Sequence, residues 1–114
     1  MKGTVKSAQD IERLFKQGKP FRTRFFTIRC IQTPKGRDQS GRVAFIAGKR
    51  LGNAVMRNRA RRVMRELYHR SDGPWEGYDV AFIANHRTAH ASEDELDAAY
   101  RQALSSCIGR YHHE

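Results

Sequence analysis

Gly48-Lys49-Arg50-Leu51-Gly52-Asn53-Ala54-Val55-Met56-Arg57-Asn58-Arg59-Ala60-Arg61-Arg62, with Arg65 just beyond, sets seven cations between residues 49 and 65 and spaces most of them as a helix would. At about 100° per residue, Arg57, Arg61 and Arg65 fall on one ridge, with Asn58 and Arg62 beside it. Met56, Ala60, Val63, Met64 and Leu67 recur at helical intervals on the other side. The spacing predicts a helix from about Asn53 to Tyr68, with an arginine face for a polyanion and an apolar face for a core. Like charges at i, i+4 cost a helix a few tenths of a kcal/mol per pair. Only Glu66 offers relief from within, reaching back to Arg62. A merely solvated face would intersperse more glutamate, so the stripe favours polyanion binding.

The flanks of this helix fix the rest. Gly52 permits a positive φ and Asn53 can cap the first turn. Lys49 and Arg50 stand beside a helix N-terminus, whose free N–H groups also attract phosphate. Asn58 adds a donor and an acceptor for a sugar 2′-hydroxyl or a base edge. Residues 43–47 and 79–84 are apolar on both faces, so with the helix between them they predict a parallel βαβ pair. Ser71-Asp72-Gly73-Pro74 ends the helix.

Ahead of this unit, Ser7 can cap a helix to Gln17 that carries Ile11, Leu14 and Phe15, with Gly18 and Pro20 as the stop. A strand over 24–32 alternates Phe26, Ile28 and Cys30 with Phe25, Thr27 and Arg29. The polar segment 32–42 reads as a hairpin connection. A last helix opens on the capping box Ser92-Glu93-Asp94-Glu95 and runs to about Ile108, with Leu96, Ala99, Tyr100, Ala103, Leu104 and Cys107 as its stripe. The residues alone give the order αββαβα, a small α/β sandwich with helices against one sheet, in one domain over 1–114. If Phe26, Ile28 and Cys30 face the core, then Phe25, Thr27 and Arg29 face outward. With Phe15 they would make an aromatic and arginine groove of the kind that stacks unpaired nucleotides; the competing reading is ordinary packing.

Composition points the same way. The 114 residues hold 22 Lys+Arg against 12 Asp+Glu, a net charge of +10, which calls for a phosphate-rich partner. The charge is segregated: residues 49–70 carry eight cations and one acid (+7), residues 92–114 two arginines and five acids (−3). The apolar runs at 43–47 and 80–84 fall far short of the ~20 residues of a membrane span. Met1 to Lys6 lack a following apolar stretch, so no signal peptide is expected and the cytoplasm is the default. Cys30 and Cys107 lack any ligand spacing, imply no disulfide framework and read as small core residues.

A protein active site is hard to find. The acids sit in turns (Asp38, Asp72, Glu76, Asp79) or in the last helix, where they favour its N-terminus, and do not converge as a metal-dependent nuclease requires. No phosphate-binding glycine loop, nucleophile elbow or zinc spacing occurs. His86 and His90 are four apart, a weak metal signal in a loop; His112 and His113 belong to the tail.

Lys49-Arg50-x-Gly52-Asn53-Ala54-Val55-x-Arg57-Asn58-Arg59-x-Arg61-Arg62 resembles the arginine-asparagine-arginine signature of the bacterial ribonuclease P protein component. Asp10 to Gly18 is similar to that family's first helix, and Tyr78-Asp79-Val80 to its strand after the signature helix. The resemblance implies a two-layer α/β sandwich of αβββαβα order, with a small mixed sheet and a left-handed βαβ crossover, against the physical default. It implies the protein subunit of a ribonucleoprotein that removes the 5′ leader of precursor tRNA, with catalysis by the RNA subunit. No cofactor would bind the protein alone; Mg²⁺ would sit on the RNA of the assembled enzyme. Partners would be the catalytic RNA and precursor tRNA, with no membrane and no small-molecule substrate. Lys49, Arg50, Asn53, Arg57, Asn58, Arg59, Arg61, Arg62 and Arg65 would meet the RNA subunit. Ile11, Phe15, Phe25, Thr27 and Arg29 would meet the leader, although Ile11 stands where an aromatic is common and Arg29 where tyrosine is. A ribosomal-type structural RNA-binding protein is the competing reading; a duplex-DNA regulator lacks an upstream helix-turn-helix pattern.

Overall fold

Two strands apolar on both faces need cover on both sides, and the order of elements supplies it. The computed structural model describes residues 8–37, 39–71, 73 and 75–112. Its elements are α1 (Ala8–Gln17), β1 (Lys19–Arg22), β2 (Phe26–Gln32), β3 (Arg42–Ile46), α2 (Ala54–His69), β4 (Tyr78–Ala84) and α3 (Glu93–His112). Short 3-10 turns stand at Lys49–Leu51 and Thr88–His90. This is the αβββαβα order. The expected strand over 24–32 begins later, at Phe26, because Thr23 turns the chain: its N–H donates to the Phe26 carbonyl at 2.8 Å. The residues before that turn form β1, an edge strand, where Pro20 is tolerated.

The sheet runs β1-β2-β4-β3, with β4 antiparallel to β2 and parallel to β3. The expected parallel pair around the arginine helix is present. The expected hairpin over 32–42 is not, because β4 lies between β2 and β3. Strand β4 is the most thoroughly buried, and a central place satisfies both its edges. The connection instead crosses the start of β4, where the Thr33 N–H donates to the Gly77 carbonyl at 2.8 Å and the Gly77 N–H to the Gln39 carbonyl at 2.7 Å.

Strand alternation sorts the core into two clusters. Phe26, Ile28, Cys30, Val43, Val80 and Phe82 meet Met64 and Leu67 of α2 and Leu96, Ala99, Tyr100 and Ala103 of α3. Leu14 of α1 meets Ala44 and Ala81, with Ile11, Ile31, Ile46 and Ile83 around them. Helices α2 and α3 thus form the main layer against the sheet, and α1 covers part of the opposite face. Small Ala44 and Ala81 let that helix lie close.

Other expectations need amending. Cys30 and Cys107, read as separate core residues, are joined as a disulfide with their Cα atoms 6.3 Å apart. Cys30 faces the α3 layer and Cys107 lies on the inner stripe of α3, a proximity that a separation of 77 residues hides. Helix α3 continues to His112, past the expected end near Ile108, so that histidine is not in a tail. Asp79 is not in a turn but lies in β4, fully buried. The Ser7 cap, Asp38, Asp72, Pro74, His113 and the opening residues Met1 to Lys6 lie outside the described residues.

Candidate nucleic-acid interface

The arginine helix begins where the sequence asks. Gly52 has φ 117°, a conformation that side chains resist. Asn53 is extended, and its Oδ1 accepts from the Met56 N–H at 3.0 Å, as an N-cap should. Just before it, Lys49 and Arg50 occupy the 3-10 turn from β3, both exposed.

Ala60, Met64 and Leu67 anchor α2 in the core, with Met56 and Val63 half-buried at its margins. Asn58, Arg59, Arg62 and Arg65 are exposed, whereas Arg57 and Arg61 are half-buried. The expected Arg57–Arg61–Arg65 ridge is therefore uneven, its first two members lying at the flank. The outermost strip carries Val55, 73% exposed, beside Arg59 and Arg62. The Arg61 Nη2 donates to Asn58 Oδ1 at 2.6 Å, which engages one lone pair of that oxygen and leaves the other, with the amide N–H groups, for a partner. The Arg65 guanidinium lies 5.5 Å over the Phe45 ring. The Nε of Arg57 is buried with no hydrogen-bond partner among the described residues.

The ion pairs lie away from this surface. Arg13, Arg37, Arg42 and Arg70 each hold a carboxylate within 4.0 Å. Among the described residues no carboxylate comes that close to Lys49, Arg50, Arg57, Arg59, Arg61, Arg62 or Arg65. The expected Arg62–Glu66 contact does not form; Glu66 instead acts on Arg70, one turn further on.

The second surface forms with different members. Arg29 Nη1 donates to the carbonyls of Phe15 at 3.0 Å and Gly18 at 3.1 Å, closing the C-terminal end of α1. Its guanidinium lies 5.3 Å over the Phe15 ring, which is 40% exposed. Thr27 shares the Arg29 face, half-buried. Ile11 is half-buried and packs against Leu14, Ala44 and Ala81 beneath α1. Phe25 does not join them: it precedes β2 and turns to the opposite core, against the α3 layer.

A buried ionic cluster sets the other end of α1. Asp79 accepts from Arg13 at 2.8 Å, from Arg42 at 2.7 and 3.2 Å, and from the Thr33 hydroxyl at 3.3 Å. Asp10 accepts from Arg42 at 3.0 Å and Arg37 at 3.1 Å. Burial opposes the charge on Asp10, but hydrogen bonds from Arg42 and Arg37 outweigh it and lower its pKa. Hydrogen bonding to Asp79 raises that of Arg42. Sequence spacing gave no hint of this cluster, whose partners are up to 66 residues apart. Its carboxylates are committed to arginines and do not fit a metal ion. His86 and His90 sit in the loop and 3-10 turn after β4, and among the described residues no three His, Cys, Asp or Glu group as metal ligands.

The family described as Ribonuclease P matches residues 2–107. The ribonuclease P protein component of Natranaerobius thermophilus is 33% identical over 96 residues, covering 82% of this chain and 76% of that protein. That of Clostridioides difficile is 28% identical over 102 residues, covering 88% and 87%. The solved RNase P protein of Staphylococcus aureus overlays with a TM-score of 0.76 at 24% identity, over 93% of this chain and 95% of that one. The Thermotoga maritima protein gives 0.73 at 21%, over 90% and 96%. At those identities the overlays speak for the fold, while the sequence match carries the lineage: this chain belongs to the ribonuclease P protein family.

Proposed function

We propose that this chain is the protein subunit of ribonuclease P, assisting endonucleolytic removal of the 5′ leader from precursor tRNA while the RNA subunit carries the chemistry. Helix α2 and the turn before it dock on the catalytic RNA through Lys49, Arg50, Asn53, Arg57, Asn58, Arg59, Arg61, Arg62 and Arg65. The cleft beside α1 receives the leader on Phe15, Arg29 and Thr27, with Ile11 packed beneath α1. The observation that carries this reading is the clustering, on one helix and the turn before it, of seven cations that have no carboxylate partner among the described residues. Uncompensated arginines on a rigid helix bind phosphates without first giving up an internal partner. Mg²⁺ belongs on the RNA in this reading, since Asp10 and Asp79 are held by arginines. No described helix is long and apolar enough to cross a membrane, and we place the single-domain subunit in the cytoplasm, with no small-molecule substrate.

Reconstitution tests the reading. Added to ribonuclease P RNA, the protein lowers the Mg²⁺ needed for leader removal, and alone it cleaves nothing. Tight RNA binding with no change in the Mg²⁺ requirement would favour a structural RNA-binding protein instead.

A further inference from the structure

A second groove opens at the β1 edge, on the far side from α1. It has a volume of about 780 Å³ and lies between the β1–β2 turn and α3, within the roughly 300–1,000 Å³ of ordinary ligand sites. One wall is basic and aromatic: Phe21, Arg22, Arg24 and Phe25 line it, and the Arg24 guanidinium lies 5.9 Å over the Phe25 ring. The other wall is α3, where Ala98, Ala99 and Ala103 leave room and Gln102 supplies an amide.

The turn presenting Arg24 and Phe25 is fixed in place. Thr23 Oγ1 accepts from the N–H groups of Phe25 at 3.2 Å and Phe26 at 3.1 Å, and donates to the Phe26 carbonyl at 2.8 Å. From the connection after β4, Asn85 Nδ2 donates to the Arg24 carbonyl at 3.1 Å, and the Thr88 hydroxyl donates to the Phe25 carbonyl. Neither Arg22 nor Arg24 has a carboxylate within 4.0 Å among the described residues, and both are exposed. The one carboxylate in the lining, Glu95, is turned back to accept from the Ser92 N–H at 2.9 Å.

Strand β1 lies between the groove and the Phe15–Arg29 surface. Pro20 and Arg22 pair across the sheet with Arg29 and Thr27, so they share the face of the cleft, yet both also line the groove. Phe21 between them points to the α3 side. A strand lying over Phe15 and Arg29 can therefore pass across β1 and enter the groove. Unpaired arginine above an aromatic ring, with room alongside, suits a nucleotide in single-stranded RNA.

We propose that this groove is a second site for single-stranded RNA, holding the leader nucleotides beyond those in the cleft. The proposal rests on the reading that the cleft takes the leader. Arg24 supplies the cation and Phe25 the ring; Gln102 faces the base edges.

The test compares holoenzymes carrying wild-type protein, Arg24→Glu or Ala98→Glu, binding mature tRNA and precursors with leaders of about 4 and about 12 nucleotides. Both positions are exposed, and circular dichroism and thermal unfolding verify that the variants fold. The wild type binds the long leader more tightly than the short one, and each variant erases most of that gain, on the order of tenfold, while short-leader binding holds. Variants that keep the length-dependent gain but bind the catalytic RNA more weakly would move the groove's occupant from the leader to the catalytic RNA. Variants unchanged in every arm would overturn the site altogether. A wild-type enzyme that does not distinguish precursor from mature tRNA would sink the cleft reading beneath it, which no variant result can mimic.

Discussion

Replacing both Arg59 and Arg62 by alanine removes two exposed cations that have no carboxylate partner among the described residues. The folded protein loses no pairing by it, so its stability should move by no more than about 0.5 kcal/mol. RNA binding should change sharply. If the helix and its preceding turn neutralise about five phosphates, the logarithm of affinity falls with that of salt at a slope of about −3.5 to −4.5. A fourfold rise in salt then weakens the wild type by on the order of 10²–10³. The double variant should flatten the slope by about 1.5 to 2 and, at roughly 1 kcal/mol for each exposed contact, lose about 30-fold at fixed salt. Arg57→Ala with Arg61→Ala should cost more, about 1–3 kcal/mol each, because these half-buried groups make less screened contacts. Titrations of labelled catalytic RNA by fluorescence anisotropy at several salt concentrations read both quantities. An unchanged slope in the Arg59/Arg62 variant would refute the docking face; a large fall in its melting temperature would mean that these arginines hold the fold instead.

Asp79→Asn should cost about 2–4 kcal/mol in denaturant unfolding, at the lower end because Arg13 and Arg42 are 19% and 22% exposed; a loss below about 1 kcal/mol would show that the cluster does not secure α1. Because Asp10 is more acidic folded than its ordinary 3.8, the unfolded chain takes up more protons in acid, so this contribution is present above about pH 4 and fades as pH falls through the lower folded value. Unfolding curves stepped down from pH 5 should show that loss, and Asp10→Asn should remove part of it. Asn53→Ala should lower stability by about 1 kcal/mol through the lost cap, while Asn53→Ser should restore most of it. Reducing the Cys30–Cys107 bond, which spans 77 residues, should lower stability by up to about 4.5 kcal/mol on chain-entropy grounds; superimposable unfolding curves with and without reductant would contradict the bond.

Much of this molecule could be read from short-range pattern. Alternation of i, i+4 residues from Met56 to Leu67 gave α2, Gly52-Asn53 gave its start, and two doubly apolar strands gave the parallel pair. These signals are local, and local physics wrote them. What escaped was long-range. Nothing in residues 32–42 shows that β4 inserts beside β2 and turns an expected hairpin into a crossing. Phe25 looked equivalent to Thr27 and Arg29 by alternation, but the Thr23 turn delays the strand to Phe26, two residues later than expected, and sends the ring to the other face. Asp79 read as a turn acid because its three arginine and threonine partners, Arg13, Arg42 and Thr33, come from other elements. The arginine surface was legible because a helix displays its own sequence; the Arg24 groove was not, because its walls are some 70 residues apart.

Arg70 closes the far end of α2 by holding Asp97 at 2.9 Å and Glu93 at 3.7 Å, at the acidic opening of α3. Roughly 20 Å of helix separates that seam from Arg57. Acid is therefore gathered at the seam while the arginines along the rest of the rod stay uncompensated, so the field this helix presents to a nucleic acid is uneven. Such unevenness favours encounters that begin on the arginine side, where contacts form without an internal pair being broken.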